Sequence, residues 1–160
     1  MTNSLVVISQ LPTAANIQLN LRGKDRDGVL DELVKLVPEL VGQPDAQATL
    51  LRALYEREQL HSTGIGDGIA LPHARNALVG LVEKPIIVFG RHPTGVAYGA
   101  LDSIPARLFF LLIAPTVTQH LGILARLSRL LRDPRLRQVL LTADQPEKVM
   151  QAVKESEGKM

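Results

Sequence analysis

"HSTGIGDGIALPHAR", residues 61–75, sets Gly64, Gly66 and Gly68 ahead of an alternating apolar run that stops at Pro72–His73. The chain has four histidines, and this one is held directly behind a glycine loop. Pro72 fixes the backbone before the imidazole and drives Leu71 toward an extended conformation. Residues 69–71 therefore read as a short buried strand leading into His73. Upstream, "GQPDAQATLLRALYEREQL" reads as a helix with Pro44 in its first turn and an apolar stripe at Leu50, Leu51, Leu54 and Tyr55. The glycine loop ends that helix. Further back, "IQLNL" (17–21) is extended and "DRDGVLDELVKLV" has helical spacing at Val29, Leu30, Leu33, Val34 and Val37.

Downstream, 85–91 ("PIIVFGR") and 106–114 ("ARLFFLLIA") read as buried strands, punctuated by Pro93, Gly95, Gly99 and Pro105. The last third is helical, over 117–132, 134–141 and about 146–155. Helices at both ends around aliphatic strands predict an α/β layered domain. One domain over residues 1–160 is expected, its core about 13–155 with loose tails.

Composition narrows the function. The 160 residues are 46% hydrophobic and only 3% aromatic, which predicts an aliphatic core. With no cysteine, disulfides and thiolate metal sites are excluded. The apolar run of "MTNSLVVISQLPTAAN" is too short for a signal peptide and lacks a basic flank. The longest apolar run, "LFFLLIA" (108–114), falls far below a membrane span, so a soluble cytoplasmic protein is expected, without direct membrane insertion. A net charge of +2 gives little support to nucleic-acid binding. Arg126, Arg129 and Arg132, three apart on one helix, read as a solvated face or part of a docking surface.

The loop fails the usual nucleotide motifs. GxxxxGK[ST] does not occur, "GIGDGI" is not GxGxxG, and no serine sits in GxSxG. His61 and His73 have no HExxH-like partner, so no metal and no cofactor are expected. Two local readings stay open: an ordinary turn before a core histidine, or an oxyanion site built from loop N–H groups and the Ser62 and Thr63 hydroxyls. Two other side chains weigh on the choice. Arg57 follows Leu54 by three and flanks the buried stripe near its helix's end. His120 aligns with Leu124, Leu127 and Leu131 in a helix's first turn, where a neutral imidazole is favoured.

Taken together, "ERE-QLHSTGIGDGIALPHAR" resembles the active-site segment of fructose/mannitol-type (type 2) enzyme IIA domains of the bacterial phosphotransferase system, most of all the nitrogen-related regulatory enzyme IIA. Glu58, Ile65, Gly66, Ile69, Ala70, Leu71, Pro72, His73 and Ala74 meet the signature without a gap. "GVAYGALDSIPARLFFLLIAP" and "QHLGILARLSRLLRD" resemble the second conserved block, extending the likeness over roughly 17–150. His61 and Ala97 depart from it, standing where glycine and an acidic residue are usual.

The resemblance implies a mixed central sheet flanked by helices on both faces. It implies His73 as the phosphorylated residue, with Arg57 and His120 beside it and Ser62, Thr63, Gly64 and Gly66 as a phosphoryl-binding loop. It also implies an HPr-like phosphocarrier as donor. The acceptor would be an enzyme IIB, or a transporter or sensor kinase that reads the phosphorylation state. A carrier docking on His73 would meet Ile65, Leu71, Ala74, Arg75 and Leu78, with Arg57 at the rim.

Overall fold

The aliphatic runs after Pro85 and Pro105 build the centre of the molecule, a computed structural model that describes residues 8–10, 13–74 and 80–160. They form β4 (Ile86–Val96) and β5 (Ala106–Ile113), paired antiparallel with Ile86 opposite Ile113 and Phe89 opposite Phe110. Around them stand β1 (Ile17–Gln18), β2 (Gly64–Gly66) and β3 (Ile69–Ala70), in the order β1-β4-β5-β3-β2. β1 runs parallel to β4 and β3 parallel to β5, while β2 is antiparallel to β3. The sheet is mixed, as expected.

Because strand side chains alternate between faces, each run supplies two cores. Ile87, Phe89, Leu108, Phe110 and Leu112 pack on one face against α3 (Val117–Leu130), α4 (Pro134–Thr142) and α5 (Pro146–Gly158). Val88, Phe109, Leu111 and Ile113 pack on the other against α1 (Arg26–Lys35) and α2 (Pro44–Leu60). Proline opens α2, α4 and α5, where its missing N–H costs no helical bond. The Thr116 side chain caps α3 by accepting the Gln119 N–H.

At Gly90 the strand backbone comes close to Leu21 and Leu33. A Cβ there would lie 2.7 Å from Leu21 Cδ1 and 2.8 Å from Leu33 Cδ2. Gly90→Ala is therefore expected to destabilise the fold by about 2 kcal/mol through overpacking. A urea midpoint matching that of the wild type would show that the two leucines yield freely.

Two expectations need correction. β4 does not stop at residue 91 but continues through Pro93 to Val96. The ladder with β5 slips between Arg91 and Val96, and an irregularity of this kind tolerates a proline without a ladder N–H. His92 braces it by donating Nε2–H to the Gly23 carbonyl (2.8 Å) and accepting the Gly95 N–H at Nδ1 (2.9 Å).

The tails assigned as loose are also partly built in. α5 extends to Gly158, and Ile8 is buried in the core. The Glu157 carboxylate accepts the N–H groups of Ile8 (2.7 Å) and Ser9 (2.9 Å) and the Arg126 Nε–H (2.8 Å). Arg126 thus leaves the solvated arginine face for a partly buried ion pair. Residues 1–7 and 11–12 lie outside the described residues. Among the described residues no helix is long and apolar enough to cross a membrane.

Candidate active site

The glycine loop is a β-hairpin. Gly66 pairs with Ile69, leaving Asp67 and Gly68 as a two-residue turn with φ of 56° and 77°. Positive φ at both central positions suits a type I′ turn, for which Asp-Gly is a favoured pair. The sequence carried this signal, "IGDGI", and the reading of the loop as a plain helix end missed it. The turn is closed by its own neighbours: the Asp67 N–H goes to Asp102 (2.8 Å), its carboxylate to Arg137 (3.2 Å), and the Gly68 carbonyl to Arg107 N (2.8 Å).

The residues expected as a phosphoryl-binding loop lie at different distances from His73. Gly66 sits opposite Ile69, four residues before His73, or about 13 Å along an extended chain. Ser62 and Thr63 lie nearer, alongside Leu71, but their polar groups hold the fold together. Ser62 Oγ donates to the Tyr98 carbonyl (2.6 Å) and accepts the Gly64 N–H (3.0 Å). Thr63 is only 4% exposed, and both its N–H (2.9 Å) and its hydroxyl donate to the Glu58 carboxylate.

His73 continues the alternate row of Ile69 and Leu71 on the α3 face of the sheet. The Pro72 carbonyl accepts the Leu112 N–H at 3.0 Å, so the segment stays paired with β5 as far as the histidine. Its Nδ1 lies 2.6 Å from the Leu71 carbonyl oxygen. A carbonyl only accepts, so Nδ1 carries the proton and Nε2 keeps its lone pair. Partial burial lowers the pKa of His73 below the ordinary imidazole value, and the Arg57 charge adds to this. The Leu71 hydrogen bond and Glu58 act in the opposite sense without cancelling it.

His120 comes from the first turn of α3, across the sheet's edge. Its ring meets that of His73 edge-on, with centroids 5.4 Å apart. It is 6% exposed, and burial followed by the neighbouring His73 lowers its pKa as well. Both rings are thus held neutral at neutral pH. Arg57, in the last turn of α2, donates from Nη1 to the carbonyl of His61, the helix's C-terminal cap. His73 and His120 are in ring contact, and Arg57 lies near enough for its charge to act on His73.

The expected docking rim changes. Leu71 and Ala74 are buried in the sheet, while Ile65 is exposed on β2. Arg75 and Leu78 lie outside the described residues. Beside His120, α3 instead exposes Val117 and Leu121, 59% and 60% accessible. Sequence reasoning counted Glu58 in the signature without giving it a role, and did not single out Tyr98. Glu58 falls in line with Leu50 and Leu54 and is buried with them, so helical spacing alone placed a carboxylate in the core. It accepts the Tyr98 hydroxyl at 2.9 Å. Burial, with the adjacent Glu58 carboxylate, pushes the Tyr98 phenol far up, keeping it a donor.

Residues 10–156 match the family model described as "Phosphoenolpyruvate-dependent sugar phosphotransferase system, EIIA 2". The chain belongs to that family. This EIIA domain is 38% identical over 148 residues to the PTS system fructose-specific EIIABC component of Bacillus subtilis, covering 91% of the chain and 23% of that larger protein. It is 33% identical over 150 residues to the fructose-specific EIIA component of Haloferax volcanii, covering 92% and 95% of the two chains. The crystal structure of Nitrogen Regulatory Protein IIA-Ntr from Neisseria meningitidis superimposes with a TM-score of 0.79 at 26% identity, over 92% of this chain and 99% of that one. The resemblance of the 58–74 signature to both fructose and nitrogen-related members is borne out, as is the mixed sheet it implied.

Proposed function

We propose that this EIIA domain is a histidine phosphocarrier. In this reading Nε2 of His73 takes a phosphoryl group from the phosphohistidine of an HPr-like carrier. The observation that supports it best is the bond from Nδ1 to the Leu71 carbonyl, which leaves the Nε2 lone pair as the nucleophile on a partly exposed ring. As the carrier's P–N bond breaks, its electron pair returns to the carrier's protonated ring, which leaves as neutral imidazole. The new Nε2–P bond leaves positive charge on the His73 ring, and the Leu71 carbonyl faces the N–H that carries it. No metal and no net proton transfer is required. Arg57 answers the charge on the transferring group once it exchanges the His61 carbonyl for a phosphoryl oxygen. His120, neutral and 5.4 Å away between ring centroids, lines the side of that group.

Incubation with phosphoenolpyruvate, enzyme I and an HPr-like carrier tests this directly. Acid-labile, base-stable label should appear, and peptide mapping should place it at His73. Absence of labelling with every carrier tried at a catalytic excess would count against the reading. The same state can be read by partners: likeness to a nitrogen regulatory IIA as well as to fructose components favours a second use, in which phospho-His73 switches binding to a transporter or sensor kinase. Passing the phosphoryl group to an enzyme IIB separates the two uses. Because either use draws its phosphoryl group ultimately from phosphoenolpyruvate, the reading supports a cytoplasmic location.

The pH dependence has a definite sign. Only neutral imidazole attacks, and burial lowers the pKa of His73 from its ordinary value of 6.5. Transfer should stay flat from neutral pH upward and fall on acidification, with its midpoint below 6.5. Single-turnover rates between pH 5 and 8 measure this, and a midpoint above the ordinary value would contradict the burial argument.

A further inference from the structure

A buried carboxylate at Glu58 needs a reason, because a leucine would simply continue the stripe of Leu50 and Leu54. Burying an ion costs more than an apolar side chain of similar size, so the position is poorly explained by stability alone. Its contacts lead toward the nucleophile. Glu58 takes the Thr63 N–H (2.9 Å), the Thr63 hydroxyl and the Tyr98 hydroxyl (2.9 Å). The Thr63 carbonyl accepts the Leu71 N–H at 3.0 Å, and the Leu71 carbonyl accepts Nδ1–H of His73 at 2.6 Å. Every link is a hydrogen bond between groups fixed by α2, β3 or the core.

We propose that Glu58 is a positioning residue for His73, setting the height and tautomer of the ring through the main chain of Thr63 and Leu71. It touches no reacting atom. With Glu58 in place, Thr63 stands where its carbonyl holds Leu71, and the Leu71 carbonyl then aims Nε2 outward. Without it the strand gains slack, the Leu71 carbonyl turns, and the proton is free to move to Nε2, which removes the nucleophile. Tyr98 ties the segment after β4 into the same carboxylate, and Ser62 ties it again through the Tyr98 carbonyl. The inference rests on His73 as the phosphoryl acceptor.

The test combines ¹⁵N NMR of the histidine rings in the full chain with single-turnover phosphorylation by an HPr-like carrier. In the wild type, His73 should show a protonated Nδ1 and an unprotonated Nε2. Glu58→Ala should move both ¹⁵N shifts toward a tautomer average. Its transfer rate should fall at least about tenfold with the carrier KM little changed, as loss of orientation requires. Glu58→Gln should restore the wild-type shifts and keep the rate within about threefold, because its carbonyl still accepts the Thr63 N–H and both hydroxyls rotate to accept from the amide. Should Glu58→Ala not fold, Thr63→Val removes one of the three bonds and should give a smaller shift in the same direction. Wild-type ring shifts in Glu58→Ala, or in Thr63→Val where the former is unfolded, would overturn the proposal. A Glu58→Gln variant as slow as Glu58→Ala with a normal tautomer would do the same, since charge and not position would then matter. Failure of the carrier reading looks different: His73→Ala would still take up phosphoryl while the tautomer results stood.

Discussion

Replacing His73 with alanine is expected to abolish phosphoryl uptake, a loss of at least about 1,000-fold, or roughly 4 kcal/mol in the transfer barrier. No described histidine stands ready to take over. His92 has both ring nitrogens engaged, one donating to Gly23 and the other accepting from Gly95. His120 is buried, and its ring meets that of His73 edge-on. His61 is exposed at the end of α2, with no ring contact that fixes its tautomer among the described residues. The fold should tolerate the change, because the His73 side chain is only partly buried and its pairing with β5 runs through the backbone. Phosphate labelling beside circular dichroism measures both. Full incorporation into folded His73→Ala would remove the central assignment.

The second large effect is expected at Arg57. Its charge already acts on His73, helping to keep the ring neutral. In the resting state the guanidinium donates to the His61 carbonyl, a bond on the surface that it can exchange for a phosphoryl oxygen. An arginine–phosphoryl pair near 4 Å is worth about 4 kcal/mol at an effective dielectric of 20, before desolvation. Even with most of that lost to solvent, Arg57→Ala should slow transfer at least about tenfold, or ~1.4 kcal/mol. Because Arg57 also lowers the pKa of His73, the same variant should shift the acid limb of the pH profile upward. Arg57→Lys keeps the charge without the planar fork and should recover the pH midpoint better than the rate. Transfer by Arg57→Ala at the wild-type rate would leave Arg57 as a helix-end cation only.

What the sequence determined by itself was whatever depends on near neighbours. Helical spacing located α1 to α5 to within a few residues, because burial repeats with the helical period, and the continuous apolar runs at 85–91 and 106–114 located the central strands, which are covered on both faces. The block from Glu58 to Ala74 was equally legible, since its chemistry is packed into consecutive residues. Where local signals compete, the reading stopped short. Pro93 looked like the end of a strand, and only the slipped ladder with β5 shows why β4 passes through it. Asp67–Gly68 was a hairpin signal concealed among glycines that also suited an anion. The tertiary structure decided what depends on groups distant in sequence. It placed His120 against His73, spent the Ser62 and Thr63 hydroxyls on Tyr98 and Glu58, and clamped the turn at Ile8 with Glu157. A hydroxyl or carboxylate has no preferred partner until the chain around it is folded. Its hydrogen bonds are chosen by proximity and geometry across 36 residues for Ser62 to Tyr98 and 149 for Ile8 to Glu157, separations at which sequence spacing carries no directional information.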